Sequence, residues 1–310
     1  MSTSLERIGF IGLGRMGYPM VMNLLRAGFQ VKVYDLAQER TEALVGAGAL
    51  QATSAGDAAV DSQLVISMIL DDAALEAVAL APAGVLASAA PGTIYADMST
   101  VSPMASAKVA KEAEQRGIPY FRARVSGSIK PSTEGTLTIF ASGPRDAYEQ
   151  SLPAFRAMGN RHYHVGAGEE AIYIKLVHSL MIGVLAASVG EAFAFGERGG
   201  ADWSQMIEVV NNSALSSTVL NYKAPLLRER KYNEPQSTVD VAAKDIDLAL
   251  AAAKHMNMPL PVTAMVREYF RMMQAQGNGG LDFFGIVTLF EELAGLSPEG
   301  GEVRGGAGAA

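Results

Sequence analysis

The 310-residue chain contains no cysteine, which removes several kinds of chemistry. It has no means of forming a disulfide, a thiolate nucleophile or a cysteine-ligated zinc site. Its four histidines, at positions 162, 164, 178 and 255, match neither HExxH nor a comparable metal-ligand spacing. The sequence therefore predicts no metal centre.

The chain also has few positively charged residues and no long uninterrupted run of apolar residues. The chain has 25 Lys and Arg against 32 Asp and Glu, and its net charge of -7 argues against a nucleic-acid partner. The longest apolar stretch, 176–195, contains two serines, a histidine and Glu191, which favours a buried helix over a membrane span. The first predicted strand begins at Ile8 and leaves no room for a targeting peptide. We therefore expect a cytoplasmic protein with no membrane partner.

Strand and helix patterns alternate over the first half of the chain. Hydrophobic residues make up 49% and charged residues 18%, which is typical of a well-buried globular protein long enough for two domains. Apolar strand cores lie near 64–67, 94–96, 118–121, 137–141 and 163–165. Repeated βα units with buried strands predict an α/β Rossmann domain, doubly wound and mostly parallel, over 1–166.

The pattern changes after Gly168. Residues 169–198 have the pattern of one long helix, so 167–198 is expected to be an interdomain helix. Helical patterns continue to 296, with predicted breaks at Pro225, Pro235, 259–261 and 277–280. We therefore predict an all-α C-terminal domain over 199–296, serving substrate binding and oligomerisation, and a disordered tail over 297–310.

A glycine-rich turn follows the first predicted strand. Gly12 would let the chain turn, Gly14 would let the backbone approach a pyrophosphate, and Gly17 would let the next helix pack on the sheet. The phosphates would then lie at N–H groups of the helix start. The predicted cofactor contacts of this turn are Gly12, Leu13, Gly14, Arg15, Met16 and Gly17.

Asp35 ends the second predicted strand and refines the choice of cofactor. Its carboxylate can accept hydrogen bonds from both adenosine ribose hydroxyls and would repel a 2′-phosphate, which favours NAD over NADP. Arg40 follows five residues later and is able to reach a 2′-phosphate, so NADP stays possible. Flavoproteins and methyltransferases also carry GxGxxG, but the acidic residue and its context favour a dinucleotide.

Polar residues that follow predicted strands are candidates for the site, because ligands of open α/β sheets bind beyond the carboxyl ends of the strands. Asp97–Thr100 follows one strand and Ser126–Ser128 follows another, and 68–70 follows the strand near 64–67. The predicted contacts here are Met68, Ile69, Leu70 and Ser99 for the cofactor, Thr100 for cofactor and substrate, and Ser126, Gly127 and Ser128 for the substrate.

Lys175 lies in an apolar helical stretch, with His178 and Ser179 on the same face at i+3 and i+4. Burial of a lysine is costly and lowers its pKa towards the range that suits proton transfer, which makes Lys175 the candidate general acid/base. The alternative is a lysine whose head reaches water. His178 is a core histidine, a substrate contact or a partner of Lys175. Lys244–Asp245 is a ligand contact or an ordinary charge pair at a helix start.

These segments together resemble the β-hydroxyacid dehydrogenases, a family that includes 3-hydroxyisobutyrate dehydrogenase, tartronate semialdehyde reductase and glyoxylate/succinic semialdehyde reductase. The segment FIGLGRMGYPM resembles the family's N-terminal signature. Further resemblance lies in the DxST motif (97–100), the substrate-binding segment (125–128 and 135–137), the GxGxxxxxxK segment (166–175) and the KD pair (244–245).

The resemblance implies hydride transfer between NAD(P) and the carbinol carbon of a small 3-hydroxy acid. It implies Lys175 as general acid/base, Ser126 and Gly127 as holders of the substrate carboxylate, and Lys244 as a contact of substrate and cofactor. It also implies a homodimer or tetramer. A reductase of an imine or a bulky aryl 3-hydroxy acid is one alternative, although retention of Lys175 argues against an imine reductase. A non-catalytic dinucleotide-binding module is the other.

The chain departs from the family pattern at three positions. Ser179, a predicted substrate contact, stands where the family usually has an asparagine that hydrogen-bonds the substrate. Arg122 and Arg124 stand where it has an acidic residue and proline. Two arginines beside a substrate segment are able to recognise a second anionic group, and the alternative is that they face solvent or a subunit contact.

Overall fold

Residues 4–296 are described by the computed structural model of the protein. The tail predicted to be disordered, 297–310, lies outside these residues. The chain divides into two compact units between Lys175 and Leu176. This boundary falls within the segment predicted to connect the domains, 167–198.

The first unit is built on one eight-stranded sheet. Its strands are β1 (Arg7–Ile11), β2 (Gln30–Tyr34), β3 (Leu50–Gln51), β4 (Leu64–Ser67), β5 (Ile94–Asp97), β6 (Tyr120–Ser126), β7 (Leu137–Ser142) and β8 (Gly159–Gly166). They are ordered β3-β2-β1-β4-β5-β6-β7-β8, and the β6–β7 pair alone is antiparallel. The predicted doubly wound, mostly parallel sheet is confirmed.

Helices pack against this sheet. They are α1 (Gly17–Arg26), α2 (Gln38–Val45), α3 (Ala55–Ala59), α4 (Asp72–Leu80), α5 (Val85–Ser88), α6 (Pro103–Gln115), α7 (Ile129–Glu134) and α8 (Arg145–Met158). Every residue of β4 and β5 is buried, as expected for strands covered on both faces. Neighbouring residues of β1 enter different apolar clusters, Phe10 one and Ile11 the other. Successive side chains of a strand point to opposite faces, so these are the two cores of a doubly wound sheet.

Strand β6 differs from its prediction. The apolar pattern placed a strand core at 118–121, whereas the strand runs from Tyr120 to Ser126 and contains Arg122 and Arg124. Both arginines are buried and paired with carboxylates, so a strand buried almost throughout carries two charged side chains. The hydrophobic pattern therefore ended before the strand did.

The predicted long helix is confirmed as α9, Glu170–Arg198. By length and composition it is able to cross a membrane, a test that the core helix of a soluble protein also passes, and 33% of its apolar window is buried in the protein. The prediction of a buried helix holds in part, because Ala186 and Phe193 are buried whereas Met181 and Phe195 are exposed.

The second unit is helical, and no strand forms between residues 199 and 296. Its helices after α9 are α10 (Trp203–Asn211), α11 (Thr218–Glu229), α12 (Val239–His255), α13 (Pro261–Ala275) and α14 (Ile286–Leu293), with a 3₁₀ turn at Phe283–Gly285. The predicted break at Pro225 is wrong, because this proline lies inside α11. Leu220, Ala224 and Leu227 bury one face of α11, and this packing outweighs the backbone hydrogen bond that proline removes.

Candidate active site

The glycine turn between β1 and α1 has the geometry that a dinucleotide needs. Gly12 adopts φ +93°, and a Cβ there would lie 2.2 Å from the Met68 carbonyl oxygen. A Cβ on Gly17 would lie 2.0 Å from the Gly12 carbonyl oxygen, so only glycine fits the helix start. A Cβ on Gly14 would meet nothing within 4 Å, which leaves open space where a phosphate would approach. The turn therefore fits the pyrophosphate of NAD(P).

Asp35 lies beside this turn, just beyond the end of β2. Its Oδ2 accepts a hydrogen bond from the Leu13 N–H at 2.6 Å and its Oδ1 accepts one from the Ala37 N–H at 2.8 Å. Arg40 Nη1 lies 3.5 Å from Oδ1. A carboxylate has about four acceptor positions, so Asp35 retains capacity for ribose hydroxyls.

A cleft of about 500 Å³ opens beside the turn. Arg15, Arg26 and Arg40 contribute positive charge to its wall, and Tyr18 and Met22 of α1 contribute apolar surface. Arg26 was not among the predicted cofactor contacts, because nothing in its local spacing ties it to the glycine turn. The charge and shape of the cleft suit a phosphorylated ligand with an apolar ring.

The loops after β4 and β5 are held together by hydrogen bonds. The Ile69 N–H donates to Ser99 Oγ at 2.9 Å, and Ser67 Oγ donates to the Asp97 carboxylate at 2.9 Å. Tyr95, whose hydroxyl lies 3.0 Å from Ser67 Oγ, is fully buried. Burial, followed by the charge of Asp97, raises the pKa of Tyr95 well above its usual value, so this hydroxyl stays neutral. Thr100, which follows Ser99, is half-buried.

The substrate segment and the candidate acid/base meet at the carboxyl end of β6. Lys175 Nζ donates a hydrogen bond to the Val125 carbonyl oxygen at 3.2 Å. Ser126 follows directly as the last residue of the strand, and Gly127 is exposed with φ +136°, a conformation that favours glycine. Ser128 is half-buried at the start of α7. Four predicted site residues therefore lie together in the first unit.

The two unusual arginines of β6 are buried and paired with carboxylates. Arg122 pairs with Glu169 and donates to Ser106 Oγ, and Arg124 pairs with Asp97 at 2.6 Å. Their exposed fractions are 6% and 1%, so the alternative in which they face solvent is wrong. Because each guanidinium already has a carboxylate partner, recognition of a substrate anion has no support in the geometry.

The second unit brings Ser179 next to the KD pair. Ser179 Oγ donates to Asp245 Oδ2 at 3.0 Å, and Lys244 Nζ lies 3.3 Å from Asp245 Oδ1. Lys244 and Asp245 form this ion pair in the second turn of α12, which begins at Val239, so the alternative of a charge pair is present one turn further into the helix than predicted. The role of Lys244 as a ligand contact stays a prediction. His178 is half-buried on α9, three residues after Lys175.

Two of these contacts could not be predicted from the sequence. Lys175 bonds to a backbone carbonyl, which every residue possesses, so no residue type marks Val125. Ser179 and Asp245 are 66 residues apart, and local spacing carries no information on such a pair. The sequence singled out both Asp245 and Ser179, but it did not predict that they form a pair.

Two family models match the chain, one for each part. The first, described as the NAD binding domain of 6-phosphogluconate dehydrogenase, matches residues 7–166. The second, described as NAD-binding of NADP-dependent 3-hydroxyisobutyrate dehydrogenase, matches residues 166–290. Together they account for the sheet unit and most of the helical unit.

Individual proteins are similar over nearly the whole chain. The 2-(hydroxymethyl)glutarate dehydrogenase of Eubacterium barkeri is 34% identical, with 96% of this chain and 98% of the relative covered. The NAD-dependent L-serine dehydrogenase of Pseudomonas aeruginosa is 33% identical, with 94% and 100% covered. The crystal structure of 3-hydroxyisobutyrate dehydrogenase from Salmonella typhimurium has a TM-score of 0.82 at 26% identity, with 92% and 100% covered. The chain therefore belongs to the β-hydroxyacid dehydrogenase family and is an NAD(P)-dependent 3-hydroxy-acid dehydrogenase.

Proposed function

We propose that the enzyme oxidises a small 3-hydroxy acid, or reduces the corresponding semialdehyde, with Lys175 as the general acid/base and NAD as the preferred cofactor. The observation that carries this proposal is the 3.2 Å hydrogen bond from Lys175 Nζ to the Val125 carbonyl oxygen. This bond holds the amino group beside the Ser126–Ser128 segment, at the edge of the sheet where ligands of α/β proteins bind.

Lys175 is the group proposed to transfer the proton. Bound NAD(P) supplies the hydride acceptor for oxidation and the hydride donor for reduction. In the oxidative direction neutral Lys175 Nζ takes the proton of the substrate hydroxyl, and in the reductive direction its ammonium form returns a proton to the carbonyl oxygen. The Val125 carbonyl accepts from Nζ and so fixes the position of the amino group in both directions.

Ser126, Gly127 and Ser128 are proposed to hold the substrate carboxylate. The Ser126 and Ser128 hydroxyls are donors, and the exposed backbone of Gly127 adds an N–H group close to them. Hydrogen bonds to a carboxylate are charge-assisted and orient the substrate relative to Lys175. Thr100 is proposed to lie near substrate and nicotinamide. The roles of His178, Ser179 and Lys244 remain predictions.

Turnover across matched acids tests the substrate class. We expect the purified enzyme to reduce NAD with 3-hydroxy acids, and to be much slower with 2-hydroxy acids of the same size and with the alcohols that lack the carboxylate. Comparable turnover of the alcohols would contradict the proposed use of Ser126–Ser128. Turnover of a cyclic imine, without turnover of any hydroxy acid, would instead support the imine reductase alternative.

The Asp35→Ala variant tests the cofactor preference. Loss of the carboxylate removes the repulsion of a 2′-phosphate and leaves Arg40 without its partner, so the ratio of kcat/KM for NAD over NADP should fall by about tenfold, or about 1.4 kcal/mol. Arg40→Ala is the matched control, because it removes the nearby cation and should not favour NADP. An unchanged ratio in Asp35→Ala would show that another residue sets the preference.

Self-association is proposed from the exposed apolar side of α9. Val177, Met181 and Phe195 expose 50%, 67% and 81% of their surface, which is unusual for apolar residues of one long helix in a monomer. A second copy of this chain is the proposed cover, giving a dimer or tetramer. We also propose that the protein is located in the cytoplasm.

The Met181→Glu/Phe195→Glu variant tests this assembly. Carboxylates would be desolvated in the interface, so we expect a shift to monomer in analytical ultracentrifugation. Leu50→Glu, on the edge strand β3 and 58% exposed before substitution, is the control and should keep the wild-type mass. A monomeric wild-type protein would refute the proposed assembly.

A further inference from the structure

Arg124 makes an unusual set of contacts for a buried arginine. Its Nη1 alone donates to three oxygens: Asp97 Oδ2 at 2.6 Å, the Asp97 carbonyl at 3.0 Å and the Ser99 carbonyl. Two of these oxygens belong to Asp97, the last residue of β5, and the third belongs to Ser99 in the loop that follows. One nitrogen of β6 therefore holds the end of β5 and the backbone of the loop that leads to Thr100.

The other two nitrogens of this guanidinium are poorly hydrogen-bonded. Its Nε and Nη2 are buried and have no hydrogen-bond partner among the described residues, and the side chain is 1% exposed. Unpaired buried N–H groups are costly, and a buried ion pair is often no more stable than apolar residues of the same volume. Stability alone therefore gives a weak account of an arginine at this position.

The contacts of Arg124 continue into the cofactor loop. Asp97, which it neutralises, also accepts from Ser67 Oγ at 2.9 Å and from the Ser99 N–H at 3.2 Å. Ser99 Oγ in turn accepts from the Ile69 N–H at 2.9 Å. The network thus joins β6 to the two loops that follow β4 and β5, both of which carry predicted cofactor contacts.

We propose that Arg124 is a positioning residue for hydride transfer, which holds the Asp97–Thr100 loop through Asp97 and the Ser99 carbonyl. In this proposal it acts without contacting substrate or cofactor, by fixing Thr100 relative to Ser126, two residues further along its own strand. This inference rests on the proposed function of Thr100 and Ser126. Misplacement of such groups by about 1 Å can lower a rate by about a hundredfold.

The test compares three variants with the wild-type enzyme. Arg124→Met leaves the buried Asp97 charge unpaired and is expected to unfold more readily, so Asp97→Asn/Arg124→Met removes both charges and restores the thermal midpoint. If Arg124 positions the loop, the double variant still has a kcat lowered by about tenfold or more, with little change in cofactor Kd. Arg124→Lys keeps a charge and three donors on one nitrogen and is expected to recover much of kcat.

Amide hydrogen exchange gives a readout that needs no turnover. The Ser99 and Ile69 amides are expected to exchange faster in the double variant than in the wild-type enzyme. Arg122→Met/Glu169→Gln is the matched control, because it removes an ion pair from the same face of β6 without touching this loop. Exchange at Ser99 and Ile69 should stay at the wild-type rate in that control.

The outcomes separate this inference from the proposed function. Wild-type kcat and unchanged loop exchange in the double variant would overturn it. A lowered kcat that Arg124→Lys restores, together with faster exchange at Ser99, supports it. A wild-type enzyme without turnover of any 3-hydroxy acid would refute the proposed function, whereas loop exchange would still decide whether Arg124 holds the loop.

Discussion

The Lys175→Ala variant is expected to lose at least about a hundredfold in kcat, the lower end of the contribution of a positioned general acid/base. Its amino group is held by the Val125 carbonyl beside the proposed substrate segment, and alanine leaves no group there that can carry the hydroxyl proton. The Kd for NAD should change little, because the predicted cofactor contacts lie at the glycine turn and in the loops after β4 and β5. Steady-state kinetics and a binding titration with NAD measure the two quantities.

A second lysine provides the control for this experiment. Lys111 is exposed on α6, and Lys111→Ala removes the same side chain without touching the proposed site. Its kcat should stay near the wild-type value. A Lys175→Ala enzyme with wild-type kcat would end the proposed role of Lys175, whereas equal losses in both variants would point to a general effect of charge.

The largest effect on stability is expected from Lys223→Met in the second unit. Lys223 Nζ donates to Asp282 Oδ2 at 2.6 Å, and both residues are buried. Asp282 also accepts from the Gln236 and Phe284 N–H groups, so the pair connects α11 to the turn that precedes α14. Loss of one partner leaves a buried charge uncompensated, and the free energy of unfolding should fall by about 3–5 kcal/mol.

Removal of both charges should lower the free energy of unfolding much less than removal of Lys223 alone. Burial lowers the pKa of Lys223 although the charge of Asp282 opposes the shift, so the desolvation of this lysine outweighs its attraction to the carboxylate. Lys223→Met/Asp282→Asn removes both charges and keeps an acceptor for one of the two backbone N–H groups, so it should recover much of the lost stability in denaturant unfolding. Equal destabilisation of the single and double variants would contradict this account of the pair.

The fold could be predicted where apolar periodicity and burial coincide. Strand β4 was predicted at its observed bounds because all four of its residues are buried and none of them is charged. The glycine turn was predicted because Gly12 and Gly17 occupy positions where a Cβ would collide with backbone. In both cases the local residue type is set by a local constraint, which is why one sequence suffices to predict it.

The parts that could not be predicted depend on partners distant in the chain. Charged residues such as Arg122 and Arg124 are typical of a strand exposed to solvent. Their burial depends on the ion pairs that they form with Glu169 and Asp97. Pro225 has the local signature of a helix break, and the buried face of α11 overrides it. Long-range pairs of this kind produce no periodic pattern in the sequence. The roles first suggested for the arginines therefore followed from their charge rather than from their surroundings.

Transfer of deuterium from substrate to cofactor tests the central claim, that this chain moves hydride from the carbinol carbon of a 3-hydroxy acid to the nicotinamide. The wild-type enzyme would be incubated with NAD and a 3-hydroxy acid deuterated at the carbinol carbon. The mass of the reduced cofactor would then be measured by mass spectrometry. The account predicts one deuterium in each reduced cofactor, and a matched loss of the hydroxy acid. Measurable NAD binding with no reduced cofactor, or reduced cofactor without deuterium, would contradict it.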